Sequence, residues 1–257
     1  MAGIKLAIIG GGSVYTVSML NTLVKYKDDF KGSTIMLYDV NKENLKPMAD
    51  FGRIVMRDMK VPFKVEDTMD LKKALDGADF VLTTFRTGGL DGRYLDETVP
   101  LKYGILGQET TGVGGMFMAF RCIPEIVKLV KQMEKSCPDA WLINYANPTN
   151  FVCDAARRIA PVKTLGLCDG VFGVKWYIAK LLGLPVEESR EIKTYVEGVN
   201  HCTWTLKMFY KGKDIYAGLD KLIKKADKSK MDDMQQFACR LLDYSGVYLL
   251  RQIFLLS

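Results

Sequence analysis

The chain has 257 residues, 48% of them hydrophobic and 26% charged, and its 36 Lys and Arg against 30 Asp and Glu give a net charge of +6. That length can bury a large core, as one α/β domain or as a domain with a smaller unit appended, and the composition excludes a disordered chain. No apolar run approaches the ~18 residues of a membrane-spanning helix, and the densest basic run (Lys221, Lys224, Lys225, Lys228, Lys230) interleaves no aromatic residue, so it reads as a solvated helix and loop and not as a nucleic-acid site.

The apolar N-terminal stretch ends at Gly10 without a small-residue cleavage site, which makes it a first strand and not a signal peptide. From there to residue 168, short apolar runs alternate with longer amphipathic ones, the pattern of a Rossmann-like, doubly wound parallel sheet. Strands are expected at residues 4–9, 34–38, 80–84, 141–145 and 164–168. Helices are expected at 41–59 and 115–135, the latter burying Met116, Ala119, Phe120, Ile123, Ile126, Val127 and Val130 on one stripe. Beyond Asp169 come a helix to about residue 182, a strand over 192–199, and a run in which Trp204, Leu206 and Met208 alternate with Thr205 and Lys207. The last reads as a strand with one solvated face, and a turn at Lys211-Gly212-Lys213-Asp214 closes a hairpin. The organisation expected is a cofactor-type α/β domain over 1–168 followed by part of a mixed α+β domain over 169–257.

The first strand runs into Gly10-Gly11-Gly12-Ser13-Val14-Tyr15, a turn whose glycines let a pyrophosphate approach the backbone and a helix N-terminus. Tyr15 stands where the fingerprint has its third glycine. The second strand ends at Tyr38-Asp39, however, where a carboxylate can accept hydrogen bonds from ribose hydroxyls and repel a 2′-phosphate, which points to NAD over NADP.

Between residues 84 and 115 lies a polar loop with Arg86, Gly88-Gly89, Arg93, Asp96-Glu97, Gln108-Glu109 and Thr110-Thr111-Gly112. Loops of that length are usually functional, so Arg93 is a candidate for binding an anionic or polyhydroxy substrate, the alternative being a surface pair with Glu97. Asn147-Pro148 follows a strand; Asn147 can cap the next helix with Pro148 starting it, or can reach a ligand at the strand end.

Six cysteines at 122, 137, 153, 168, 202 and 239 show no Cys-x-x-Cys spacing, so neither a disulfide framework nor a closed zinc site is signalled, and a reducing cytoplasm fits. The single histidine, His201 in Gly198-Val199-Asn200-His201, has a distant potential co-ligand in Cys168 of Gly166-Leu167-Cys168-Asp169. Together they could hold a divalent metal, or both could be ordinary buried residues.

Taken in order, Ile8-Ile9-Gly10-Gly11-Gly12-Ser13, Gly88-Gly89-Leu90-Asp91-Gly92-Arg93, Gly107-Gln108-Glu109-Thr110-Thr111-Gly112-Val113-Gly114-Gly115, Asn147-Pro148, Gly166-Leu167-Cys168-Asp169 and Gly198-Val199-Asn200-His201 closely resemble glycoside hydrolase family 4. The resemblance implies a lactate/malate dehydrogenase-like fold and a glycosidase needing NAD⁺, a divalent metal (usually Mn²⁺) and reducing conditions, an exception to paired-carboxylate glycosidases. It implies oxidation at C3 of the sugar, deprotonation at C2, elimination of the aglycone, addition of water and return of the hydride. Cys168 and His201 would hold the metal, although thiolate softness by itself favours zinc, cobalt or iron. Arg93 and Asn147 would bind substrate, Asp169 would be the general acid, and Tyr248, followed by Leu249, the base, with Tyr244 as fallback.

Within the resemblance, Cys168-Asp169 leans the substrate towards an α-linked glycoside and leaves open whether C6 carries phosphate, whereas Gly170-Val171 is not the Met-Pro or Val-Pro continuation of 6-phospho-α-glucosidases and Thr110-Thr111-Gly112-Val113 looks more like the β-glucosidase branch. Family members continue well past Phe254-Leu255-Leu256-Ser257, so the chain reads as truncated, with an apolar last helix, and the full-length form is expected to be a homodimer or homotetramer. Two other readings stand beside it: a non-catalytic NAD-binding fragment, and a 2-hydroxy-acid dehydrogenase, for which Asn200-His201-Cys202 is the wrong histidine setting.

Overall fold

The computed structural model describes residues 3–168, 170–225, 236, 240 and 248–250. Two compact units divide the chain, Met1–Leu167 and Cys168–Ser257.

In the first unit, β1 (Lys5–Ile9), β2 (Thr34–Tyr38), β3 (Lys64–Thr68), β4 (Phe80–Thr83), β5 (Trp141–Asn144) and β6 (Lys163–Gly166) form one sheet in the order β3-β2-β1-β4-β5-β6. Every pairing is parallel, with Ile8 level with Leu37 on one side and Leu82 on the other. Alternation along β1 sends Ile8 to one face and Ala7 and Ile9 to the other, and both faces are covered. Ile8, Ile35, Leu37 and Val65 pack with Leu20 and Leu23 of α1 (Tyr15–Lys25) and Leu45, Ala49 and Met56 of α2 (Lys42–Asp58). Ala7, Ile9, Val81 and Leu142 pack against Leu75 of α3 (Leu71–Leu75), Met118, Cys122 and Ile126 of α5 (Gly112–Ser136), and Val152 and Ala156 of α6 (Thr149–Ile159). Each such fully buried aliphatic side chain contributes about 1.5–3 kcal/mol. The direction of the winding reverses between β1 and β4, so the crevice beyond their carboxyl ends is where an open sheet of this kind takes its ligand.

Three sequence expectations need correction here. The stretch 84–115 is not one long loop: α4 (Gly89–Leu101) occupies its middle. That helix escapes a search for apolar periodicity because the residues it buries are Asp96 and Pro100, with Asp96 meeting Arg121 of α5 in a two-pronged ion pair. The apolar stripe of α5 is partly rotated: Ala119, Ile126 and Val130 are buried as expected and are joined by Met118, Cys122, Leu129 and Met133, while Met116 is 40% and Phe120 60% exposed. Strand β3, unanticipated, has Val65 as its one buried residue, too little apolar signal to register.

The second unit contains α7 (Gly170–Leu181), a 3₁₀ turn (Val186–Glu191), β7 (Ile192–Val199), β8 (Cys202–Tyr210), β9 (Lys213–Asp214), α8 (Tyr216–Lys225) and β10 (Tyr248–Leu250). Its sheet is antiparallel in the order β10-β8-β7, with β9 beside β8. Ile178, Ala179, Ile192, Met208 and Leu219 form its core. The simple alternation expected along β8 is broken by a bulge: Tyr195 pairs with Lys207 and Val196 with Thr205, leaving Leu206 as the extra residue. Thr205 is therefore fully buried and Leu206 43% exposed, the reverse of the sequence pattern. Asp169, Tyr244, the 226–230 end of the lysine run and the last seven residues lie outside the described residues.

Candidate functional site

The glycine turn after β1 is shaped by three different neighbours. Gly10 has φ +96°, and a Cβ on it would lie 2.9 Å from the backbone of Thr84 and Phe85 beyond β4. A Cβ on Gly11 would meet Leu37 at 2.8 Å, and one on Gly12 would meet Asp39 Oδ2 and Asn44 Cβ at 2.9 Å. The turn is tied down by the Gly10 and Gly11 amides, which both donate to Tyr38 O at 2.9 and 2.8 Å, and by Thr16 Oγ1 donating to Gly11 O. Ser13 and Val14 lead into α1, whose first turn carries no acidic residue, so the partial positive charge of its N-terminus is left for an anion.

Asp39 faces this turn. Its Oδ2 accepts from the Gly12 amide and its Oδ1 from the Asn41 amide, each at 2.9 Å. Two backbone donors occupy about half of a carboxylate's roughly four lone-pair sites, and the others can take ribose hydroxyls. Burial, followed by the neighbouring Asp39 charge, raises the Tyr38 pKa. The cradle and the acid fit a dinucleotide.

Arg93 lies on α4, where Nε donates to Glu97 Oε1 at 2.8 Å, and the same nitrogen is 3.5 Å from Glu109 Oε2. The hydrogen bond from Arg93 to Glu97 leads in raising the arginine's pKa. The pair with Glu97 is thus present, but it belongs to a larger group. Glu109, 4% exposed, also ion-pairs with Arg86, so the carboxylate Oε2 is held by two guanidinium charges without an aligned hydrogen bond. The Gln108 Oε1 atom accepts from the Thr110 and Thr111 amides, each at 2.6 Å, where α5 begins. Sequence inspection put Arg86 and Glu109 in the region but gave neither a role; glycines flanking an isolated acid were the only cue.

Asn147 does not cap α6. The Asn147–Pro148 peptide is cis, Pro148 occupies the N-cap, and Asn147 Oδ1 instead accepts from Thr149 Oγ1 at 3.2 Å. Asn147 is half-buried at the carboxyl end of the sheet, next after Ala146, whose carbonyl accepts from the buried Asn144 amide.

In the second unit, His201 sits in the two-residue turn joining β7 to β8 with φ +66°, a conformation that favours glycine and costs a side-chain-bearing residue on the order of 1 kcal/mol or more. It is 7% exposed, and its Nε2 lies 3.5 Å from Cys168 Sγ across 33 residues of sequence. Sulfur and nitrogen donors at about 2.3 and 2.1 Å from one tetrahedral ion would stand roughly 3.6 Å apart, so the pair fits joint ligation. Among the described residues no third His, Cys, Asp or Glu joins them. Tyr248 opens β10 opposite Thr205 of β8.

A family model described as family 4 glycosyl hydrolase matches residues 5–184. The chain is 38% identical over 213 residues to a probable 6-phospho-beta-glucosidase of Bacillus subtilis, covering 82% of this chain and 48% of that one. A solved 6-phospho-alpha-glucosidase from gut microorganisms, in complex with NAD and Mn²⁺, superposes with TM-score 0.86 at 28% identity, over 98% of this chain and 59% of that one. Lactate dehydrogenase from Eimeria maxima, at TM-score 0.66 and 18% identity, shares the fold. The chain spans about half the length of the curated relative it matches. It belongs to family 4 of the glycosyl hydrolases.

Proposed function

We propose that this chain carries the cofactor and metal sites of an NAD⁺- and Mn²⁺-dependent glycosidase acting on 6-phosphorylated glycosides, preferentially α-linked. The observation that carries the reading is the approach of Cys168 Sγ to His201 Nε2 within 3.5 Å, two soft-to-borderline donors that chain separation alone would not bring together. The cytoplasm is its expected compartment and a homodimer or homotetramer its expected assembly.

Gly10, Gly11, Gly12, Ser13 and Val14 would cradle the pyrophosphate, and Asp39 would hold the adenosine ribose. Cys168 and His201 would ligate the metal. When bound, NAD⁺ supplies a returnable hydride acceptor and the ion a Lewis acid. Arg93, kept cationic by Glu97 and Glu109, would hold an anionic or hydroxyl group of the sugar. Asn147 would add a neutral amide contact. Tyr248 would remove the proton at C2 and Asp169 would protonate the departing glycosidic oxygen. The α preference rests on Asp169 following Cys168, while the B. subtilis relative carries a β-type name, so the anomer is read by experiment.

The test is hydrolysis of α- and β-linked glycosides, with and without 6-phosphate, in reductant, with NAD⁺ and Mn²⁺ each added or withheld. Turnover of 6-phosphoglycosides that requires both additions is expected. Turnover indifferent to NAD⁺ would overturn the mechanism, and NAD⁺ binding without any turnover would favour a non-catalytic NAD-binding protein.

A further inference from the structure

Among the described residues strand β7 is an edge. In the antiparallel sheet its one strand neighbour among the described residues is β8, and its first six residues, Ile192 to Glu197, run without proline or a bulge of their own, before Gly198 turns the backbone at φ +118°. Edge strands of that length recruit another strand unless something prevents it.

The direction of its unused backbone groups follows from the pairing. Met208 O accepts from Ile215 N, so at Met208 the main chain of β8 bonds towards β9. Alternation then turns Lys207 and Phe209 towards β7, where they face Tyr195 and Lys193. Thr194 and Val196, between and beyond those two, direct their N–H and C=O groups away from β8, to the open side.

The side chains on the solvated face are Lys193, Tyr195 and Glu197, all exposed, Tyr195 by 59%. A lone lysine at such a position would discourage pairing. Here opposite charges flank a tyrosine symmetrically. Among the described residues neither Lys193 nor Glu197 has an ion-pair partner. We propose that β7 is the site at which a second copy of this chain docks, antiparallel, about a two-fold axis through Tyr195. In that register Thr194 forms a hydrogen-bonded pair with Val196 of the second copy and Val196 with its Thr194. Lys193 then stands opposite Glu197 of the second copy, Glu197 opposite its Lys193, and the two Tyr195 rings meet on the axis. A two-fold contact requires this self-complementarity, and shifting the register by two residues in either direction loses both charge pairs. The inference does not depend on the glycosidase reading.

Sedimentation of the purified chain across a concentration series tests it. The wild type is expected to associate to a dimer. K193E and E197K, each placing like charges opposite one another twice per dimer, should each raise the dissociation constant at least about tenfold, and K193E/E197K should restore it. The variants' circular dichroism should match the wild type. Y195C should form a covalent dimer on mild oxidation that the wild type does not, since cross-strand Cα atoms at a non-hydrogen-bonded pair stand about 4.5 Å apart, within disulfide range. A monomeric wild type, a dimer indifferent to the single reversals, a double variant no tighter than the singles, or a Y195C chain that stays uncrosslinked would each overturn the proposal.

Discussion

Asp39 gives the sharpest test of the cofactor site, because its two duties can be separated by size. In the folded chain its carboxylate accepts from the Gly12 and Asn41 amides, both near the surface, where water can replace a lost acceptor at well under about 1 kcal/mol each. Asp39→Ala should therefore lower the melting temperature by a few degrees at most, at about 2–4 °C per kcal/mol for a chain of this size. Bound NAD⁺ would lose two hydroxyl bonds to a charged acceptor, each worth about 1.5–3 kcal/mol. Even at the low end that sum is roughly 3 kcal/mol, or a hundredfold or more in Kd. The relative preference over NADP⁺ should shrink as well, since the carboxylate that repels a 2′-phosphate is gone. Calorimetric titration with both nucleotides, beside a thermal melt, checks each part. An Asp39→Ala Kd for NAD⁺ within a few-fold of wild type, in a folded sample, would refute the assignment of Asp39 and of the crevice it closes.

The remaining expectations concern metal, core and pH. His201→Ala removes one of two paired donors and should cost at least about tenfold in Mn²⁺ affinity, read by titration calorimetry of the purified chain with the metal alone; unchanged binding would sink the metal assignment. Leu142→Ala, at a fully buried position between β4 and β6, should destabilise by about 2–5 kcal/mol in chemical denaturation. The Cys137 thiol is pushed up to about 11 by burial, above its ordinary value of 9.0, so the folded state keeps the proton that the unfolded state releases. Its stabilising contribution is complete below pH 9 and is lost as pH rises towards 11, and Cys137→Ala should flatten that part of an alkaline stability profile.

Elements whose buried face is apolar could be read from sequence, and those whose buried face is polar could not. The strands carrying Ile8, Leu37, Val81 and Leu142 and the helix after Asn41 declare themselves by composition and spacing, and the structure adds a cap that the spacing does not use, Asn41 Oδ1 accepting from the Glu43 and Asn44 amides. Helix α4 does not, because Asp96 is what it buries. The β8 bulge was equally invisible: nothing local marks Leu206 as the residue to be skipped. At the candidate site, the glycine turn and Asp39 follow from short-range rules, since each glycine answers a specific close approach. The proximity of Cys168 and His201 is tertiary, as is the convergence of Arg86 and Arg93 on Glu109, and no spacing rule yields either.

The polar burial around α4 has a physical logic of its own. Arg121 donates to Asp96 through both terminal nitrogens and to Thr87 O through Nε, so one guanidinium joins α4, α5 and the strand-to-helix connection after β4. A Cβ on Gly88 would lie 3.0 Å from Arg121 Nε and one on Gly92 3.3 Å from its Nη2, which ties those two glycines to the arginine. Gly107 and Gly114 pack still closer, against the carbonyl oxygens of Glu97, Gln108 and Asp96. A hydrophobic contact of equal strength would tolerate sliding of α4 on α5, whereas a forked, fully specified ion pair under close backbone contact fixes both rotation and register. Arg93 sits one helical turn before Glu97 on the helix so fixed, and Arg86 at its entrance. The segment thus sacrifices apolar burial for a defined placement of two guanidinium groups beyond the carboxyl end of β4. That is the arrangement a polar ligand would need there.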